Sequence, residues 1–244
     1  MTEPLPESLY IVTPTDWGEY GLVAAGGGIP PAFRPAPDSA RVEALSQRDL
    51  RWKTTALGFS NYTIGAQGCA LTCAAMIARM VDETLFPPQL QELLKPAGGF
   101  WQANLNWAAV PRVVPGLIFE GITNWEGVPA DVENVKAHLA EHPLILWVDF
   151  TPGGAQQTHF VLATAYLPDY DDVLIADPWD GYSGRLLLRY GGPGWTLARA
   201  LYGMRPLYAV APTRALAASY VALATPTTQA FDDYPDKYTG GVRG

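Results

Sequence analysis

Four closely spaced apolar or alternating runs in the second half of the chain, PLILWVDF, THFVLATAY, DVLIAD and RLLLRY, constrain the fold most. Each is short and bounded by turn residues, which is the pattern of extended strands, and together they are most simply an antiparallel sheet. Upstream, CALTCAAMIARMVDE combines good helix formers with apolar spacing of three and four, so it predicts a buried helix opening at Cys69. PPQLQELLKPAGG predicts a short helix that begins with proline and stops at Pro96 and the glycines. LIFEGI predicts a strand and ADVENVKAHLAE another helix. Helices first and a sheet afterwards indicate the α+β class, with N-terminal helices packed on a mostly antiparallel sheet.

Both ends have a different character. Residues 1–45 are rich in Pro and Gly (GLVAAGGGIPPAFRPAP) and read as an extended N-terminal arm or a small irregular subdomain. Residues 46–210 read as one compact domain, and 211–244, rich in Ala, Thr and Pro, as an extended C-terminal tail. With 48% hydrophobic and 16% charged residues in 244, the chain can bury a substantial core. Arms of this kind fray unless something holds them, so a homo-oligomer or larger protein assembly through the arms is expected.

A formal charge of −8 argues against a nucleic-acid partner, whose phosphates are gripped by clustered Lys and Arg. Two cysteines four residues apart cannot form a multi-bridge disulfide framework, and free thiols are expected. The start, MTEPLPESLYIVTPTDW, lacks a basic segment followed by an apolar run, and no stretch approaches the roughly 20 apolar residues of a membrane span. The expectation is a soluble protein, cytoplasmic or virion-associated, with no export signal, membrane span or cofactor.

Chemistry concentrates at three positions. In TIGAQGCALTCAAM a glycine-rich turn passes into a helix at Cys69, where unpaired N–H groups and the positive end of the dipole favour a thiolate. A thiol nucleophile needs an imidazole to take its proton and an acceptor to orient that imidazole. Of three histidines, His159 opens an alternating strand, and the next strand ends in Asp177, so adjacent antiparallel strands bring the two together. Taken singly, each also has an ordinary explanation: a buried thiol, a satisfied core histidine, an aspartate that starts a turn before proline.

Three stretches, SQRDLRWKTTALGFSNYTIGAQGCALTCAAM, LILWVDFTPGGAQQTHFVLATAY and DVLIADPWDG, resemble the C39-like branch of the papain-like cysteine peptidases, particularly versions carried by phages and bacteria. The likeness runs roughly from Ser46 to Tyr208. It implies a papain-like fold, Cys69 as nucleophile, His159 as proton carrier and Asp177 as orienting group. It also implies a peptide or peptidoglycan substrate, and a place near the cleft for Trp179. The resemblance departs at Thr63, where such peptidases carry an oxyanion-hole Gln; Gln67, two residues before Cys69, is the nearby amide that could replace it. A catalytically weak or inactive scaffold in a phage particle or tail is the alternative.

Other residues read as structural. Cys73, one turn past Cys69, reads as a small buried residue, Asp149 as a strand-end carboxylate, and Trp147 as core. HLAEH, His138 to His142, fits a zinc-peptidase string. Its helix ends at Pro143 and packs through Val132, Val135 and Leu139, which leaves both histidines in the last turn and suggests no third ligand.

Overall fold

The computed structural model describes residues 42–210, together with the backbone of three two-residue strands nearer the N-terminus. These are β1 (Ile11–Val12), paired antiparallel with β2 (Leu22–Val23), and β3 (Arg34–Pro35). Of the expected arms, 1–45 and 211–244, residues 42–45 are described, with Val42 and Leu45 in the core, and apart from these strands the rest lies outside the described residues.

From the compact start the chain forms α1 (Ile64–Gln67), α2 (Cys69–Ala78) and α3 (Pro87–Leu94). A small hairpin of β4 (Phe100–Trp101) and β5 (Asn104–Leu105) follows, then α4 (Val110–Val113), β6 (Leu117–Phe119), β7 (Thr123–Asn124) and α5 (Val132–Glu141). The remainder is β8 (Leu144–Asp149), β9 (Thr158–Leu167), β10 (Asp172–Asp177), β11 (Tyr182–Arg185), α6 (Leu186–Tyr190), α7 (Leu197–Ala200), β12 (Leu201–Arg205) and β13 (Leu207–Ala209).

The main sheet runs β11-β10-β9-β8-β12-β7, every neighbour antiparallel, with β3 added on β9. The expected strand at LIFEGI forms as β6 but pairs with β13 outside this sheet. Helices lie on both faces. On one, α2 and α3 enclose Ile145, Leu162 and Ala176. On the other, α5, α6 and α7 enclose Leu144, Leu146, Val161, Val173 and Ile175. Two covered faces explain why β8 is a continuous apolar run in which all six residues are buried. The mixed helix and antiparallel-sheet class read from the sequence is therefore what forms. A second helical layer on the far face is an addition to it.

One run is corrected. RLLLRY was expected as a fourth strand, but only Arg185 ends β11, and Leu186–Tyr190 coil into α6. Leu186 and Tyr190, four apart, are buried, whereas Leu188 between them is 56% exposed, which is helical spacing. The turn is also capped from outside. Asp172, fully buried on β10, accepts from the Leu187 N–H through Oδ1 (3.2 Å), meeting one unpaired donor of the first turn, and from the Arg185 side-chain Nε through Oδ2 (3.0 Å). A run of five residues fits both periods, and the carboxylate from another strand decides between them.

Leu188→Glu is expected to leave the melting temperature nearly unchanged, as for an exposed position, while Leu186→Ala costs about 2–5 kcal/mol of stability. Thermal and denaturant unfolding of the two variants measure this; in a strand, Leu186, Leu188 and Tyr190 would share one face, and Leu188→Glu would then cost about as much as Leu186→Ala.

Candidate active site

The glycines of TIGAQGC build the approach to Cys69. Thr63 N-caps α1, its Oγ1 accepting from the Ala66 N–H (3.2 Å). Gly65 passes so close to Lys53 that a Cβ there would lie 2.6 Å from the Lys53 carbonyl oxygen. Gly68 joins α1 to α2 with no room for a side chain: a Cβ would stand 2.4 Å from the Ile64 carbonyl oxygen. Cys69 is consequently the first residue of a ten-residue helix, half-buried, with Gly68 as N-cap.

The imidazole and carboxylate come from the sheet. The register pairs Ala176 with Leu162, so Asp177, one residue further, has His159 as a diagonal neighbour on the same face. Asp177 Oδ1 accepts from His159 Nε2 (2.8 Å) and from the Trp179 N–H (2.9 Å). This leaves Nδ1 of the ring free of the carboxylate, and the Cys69 thiol is near enough to His159 for each to shift the other's protonation. Phe150 meets the ring edge-on (centroids 5.1 Å apart), Tyr190 packs at 5.5 Å, and Trp179 packs against Phe150 at 4.8 Å. His159 is 3% exposed and Asp177 fully buried.

A charge so enclosed needs partners. The second oxygen of Asp177 accepts from the Tyr190 hydroxyl and lies 2.6 Å from Arg189 Nε. Arg189 also reaches Asp180 (2.8 Å), tying α6 to the turn after β10. Neither Tyr190 nor Arg189 was recognised in the sequence, because both depend on RLLLRY coiling rather than extending.

The electrostatics follow from this arrangement. Burial pushes the Cys69 thiol up, but the His159 hydrogen bond and charge, with backbone hydrogen bonds from Phe160 and Ala70, outweigh it and hold the thiol below its ordinary value. Burial likewise disfavours the charged imidazole. The Asp177 hydrogen bond and the thiolate overcome that penalty and raise His159 to about 9. Asp177 is raised by burial and brought lower on balance by His159, Tyr190 and the Trp179 N–H. The geometry favours a thiolate–imidazolium pair beside an ionised carboxylate.

The other sequence candidates separate clearly. Gln67 is half-buried in the last position of α1, and its side chain makes no hydrogen bond. A different amide lies against the site: Gln47, 1% exposed, whose N–H donates to the Pro178 carbonyl (2.5 Å) and whose Nε2 donates to the Gly65 carbonyl (3.1 Å). It bridges the turn after Asp177 to the turn before Cys69, and its Oε1 is enclosed without a partner. Its signal lay within SQRDLRW, a stretch read only as part of a resemblance.

Cys73 is fully buried, donates to the Phe160 carbonyl (3.4 Å) and is raised well above the ordinary thiol value by burial. Asp149 accepts from the Thr151 and Gln157 N–H groups (3.1 and 2.9 Å), so it organises the β8–β9 turn. Trp147 is a core residue, 2% exposed. His138 lies 3.9 Å from Glu120, and His142 stacks on Tyr208 with centroids 4.0 Å apart. Among the described residues no three His, Cys, Asp or Glu side chains are grouped to hold a metal, and no helix is long and apolar enough to cross a membrane.

Iodoacetamide labelling of Cys69 against pH is expected to rise below the ordinary thiol pKa and to inflect again near 9, where the imidazolium loses its proton. Arg189→Met removes a positive charge near both groups, which makes the thiolate harder to form and the imidazolium easier to keep. Both inflections should then move up, by roughly half a pH unit or more. A loss of labelling without that shared upward movement would mean that Arg189 acts on folding alone.

Comparison with known proteins adds one finding: residues 40–190 match the model of the Peptidase_C39 like family. No curated protein gives a significant match. With more than half of its length matched, and with the thiol, imidazole and carboxylate already seen together, the chain belongs to the Peptidase_C39 like family.

Proposed function

We propose that the protein is a cysteine-dependent amide hydrolase of papain-like type. The observation that carries this reading is the continuous line from the Cys69 thiol through His159 to the buried Asp177 carboxylate. Cys69 attacks the carbonyl carbon as thiolate. His159 donates its proton to the departing amine, then takes a proton from the water that hydrolyses the thioester, and Asp177 keeps the ring oriented throughout. The start of a helix against the sheet strand that bears the histidine supports the papain-like comparison.

The oxyanion of the tetrahedral intermediate needs donors. The Cys69 N–H, unpaired at the first position of α2, is one. Of the two candidate amides, Gln47 is better placed than Gln67, being enclosed and strapped to Pro178 beside the triad. The substrate class is a peptide amide, in protein or in a peptidoglycan crosslink. The sequence likeness to phage-borne relatives supports a setting in a virion or tail, and the expected arms support assembly there.

Cys69→Ala is expected to abolish hydrolysis of denatured casein or of purified peptidoglycan while leaving the far-UV circular dichroism spectrum unchanged. Gln47→Ala should cost on the order of 100-fold in turnover and leave iodoacetamide labelling of Cys69 intact. Full biological function in Cys69→Ala would instead favour a scaffold with a vestigial site.

A further inference from the structure

Beside the candidate site stands a cation that has no carboxylate partner among the described residues. The Arg48 guanidinium lies over the Trp179 ring, 4.6 Å from its centroid, and Arg48 is exposed. The acids nearest to it along the chain and across the turn are already engaged: Asp49 holds Arg51 and Asp180 holds Arg189, each at 2.8 Å. Among the described residues no carboxylate lies within ion-pair distance of Arg48.

Its backbone is fixed against the site. The Gln47 N–H donates to the Pro178 carbonyl, Ser46 Oγ donates to the Trp179 carbonyl (3.3 Å), and the Arg48 N–H donates to Ser46 Oγ (3.1 Å). Trp179 in turn donates its N–H to Asp177 and packs through Phe150 toward His159. Arg48 is therefore held to the turn that carries Asp177 and Trp179, the imidazole–carboxylate end of the site. That is the side of the departing half of a substrate, since the imidazolium gives its proton to the leaving nitrogen. A guanidinium held over an indole by cation–π attraction keeps N–H donors for another partner, and its planar fork matches a carboxylate in two parallel hydrogen bonds. In a chain of formal charge −8, such a group draws an anion to a place that the rest of the surface does not favour.

We infer that Arg48 is a specificity-determining residue that receives a carboxylate on the leaving-group side of the scissile amide. The inference rests on the hydrolase reading and gives its substrate class: amides followed by an acidic side chain or by a free C-terminal carboxylate.

The full chain is alkylated at low ionic strength with iodoacetate, which carries a carboxylate, and with its neutral counterpart iodoacetamide, and Cys69 labelling is followed by peptide mass. Arg48→Gln is expected to lower the iodoacetate-to-iodoacetamide ratio about two- to fourfold and Arg48→Glu further, with iodoacetamide rates nearly constant. Arg48→Lys retains part of the effect, and 0.5 M salt (about a 4 Å Debye length) largely removes it. An unchanged ratio in Arg48→Glu overturns the assignment. Ordinary iodoacetamide reactivity in the wild type would instead sink the hydrolase reading, and the ratio would still report the charge at Arg48. Peptides bearing Asp or Glu after the scissile bond, and peptides ending in a free carboxylate, are then compared with their amide counterparts. The pair whose discrimination is lost in Arg48→Glu identifies the source, and equal cleavage of all by both proteins rejects the proposal.

Discussion

The enclosed carboxylate of Asp177 is the constraint on which the site depends. Removing a carboxylate from water carries a penalty of several kcal/mol, and only well-aligned donors offset it. Here four converge from three places: the ring of His159 on β9, the Trp179 N–H in the turn after β10, and Tyr190 with Arg189 on α6. None of these can move far without stranding a buried charge. The pairing is thus a weak source of stability but a strict condition on geometry, and it fixes the plane of the His159 ring.

The same carboxylate shapes the chemistry. An ionised Asp177 favours the imidazolium, the imidazolium favours the thiolate, and the helix start at Cys69 adds its own positive end. Arg189 moderates this chain by sharing the negative charge. Phe150, Tyr190 and Trp179 exclude water around the ring, which strengthens each of these interactions. Cys73 shows the contrast. One helical turn along, with the Phe160 carbonyl for company and no imidazole, burial and then the negative charges of Cys69 and Asp177 all push the thiol up, and it stays protonated.

Charge is distributed with a matching asymmetry. The chain is acidic as a whole, yet the groups around the triad include cations whose positions are set by the turn at 177–181: Arg189 turned inward on Asp177, and Arg48 lying outside on Trp179. The inner one neutralises part of a buried carboxylate, and the outer one is exposed.

Much of this was legible in the residues. The apolar spacing from Cys69 marked α2, the runs at 144–149, 158–167 and 172–177 marked three strands of the sheet, and cysteine, histidine and aspartate were the candidate side chains that the fold brings together. Side-chain period and the steric demands of glycine and proline act over a few residues, so a linear string can express them. RLLLRY could not be assigned that way, because five residues satisfy two periods, and the Asp172 carboxylate that caps α6 comes from another strand. The misreading hid Arg189 and Tyr190, whose contacts with Asp177 exist only in the helix. Gln47 was hidden for a similar reason, its neighbours Gly65 and Pro178 being far apart along the chain. The sequence by itself determined most of the segments that coil or extend and offered three candidate groups for chemistry. Only the tertiary structure decided who surrounds them, since the register, the second helical layer and the partners of a buried charge are set through space.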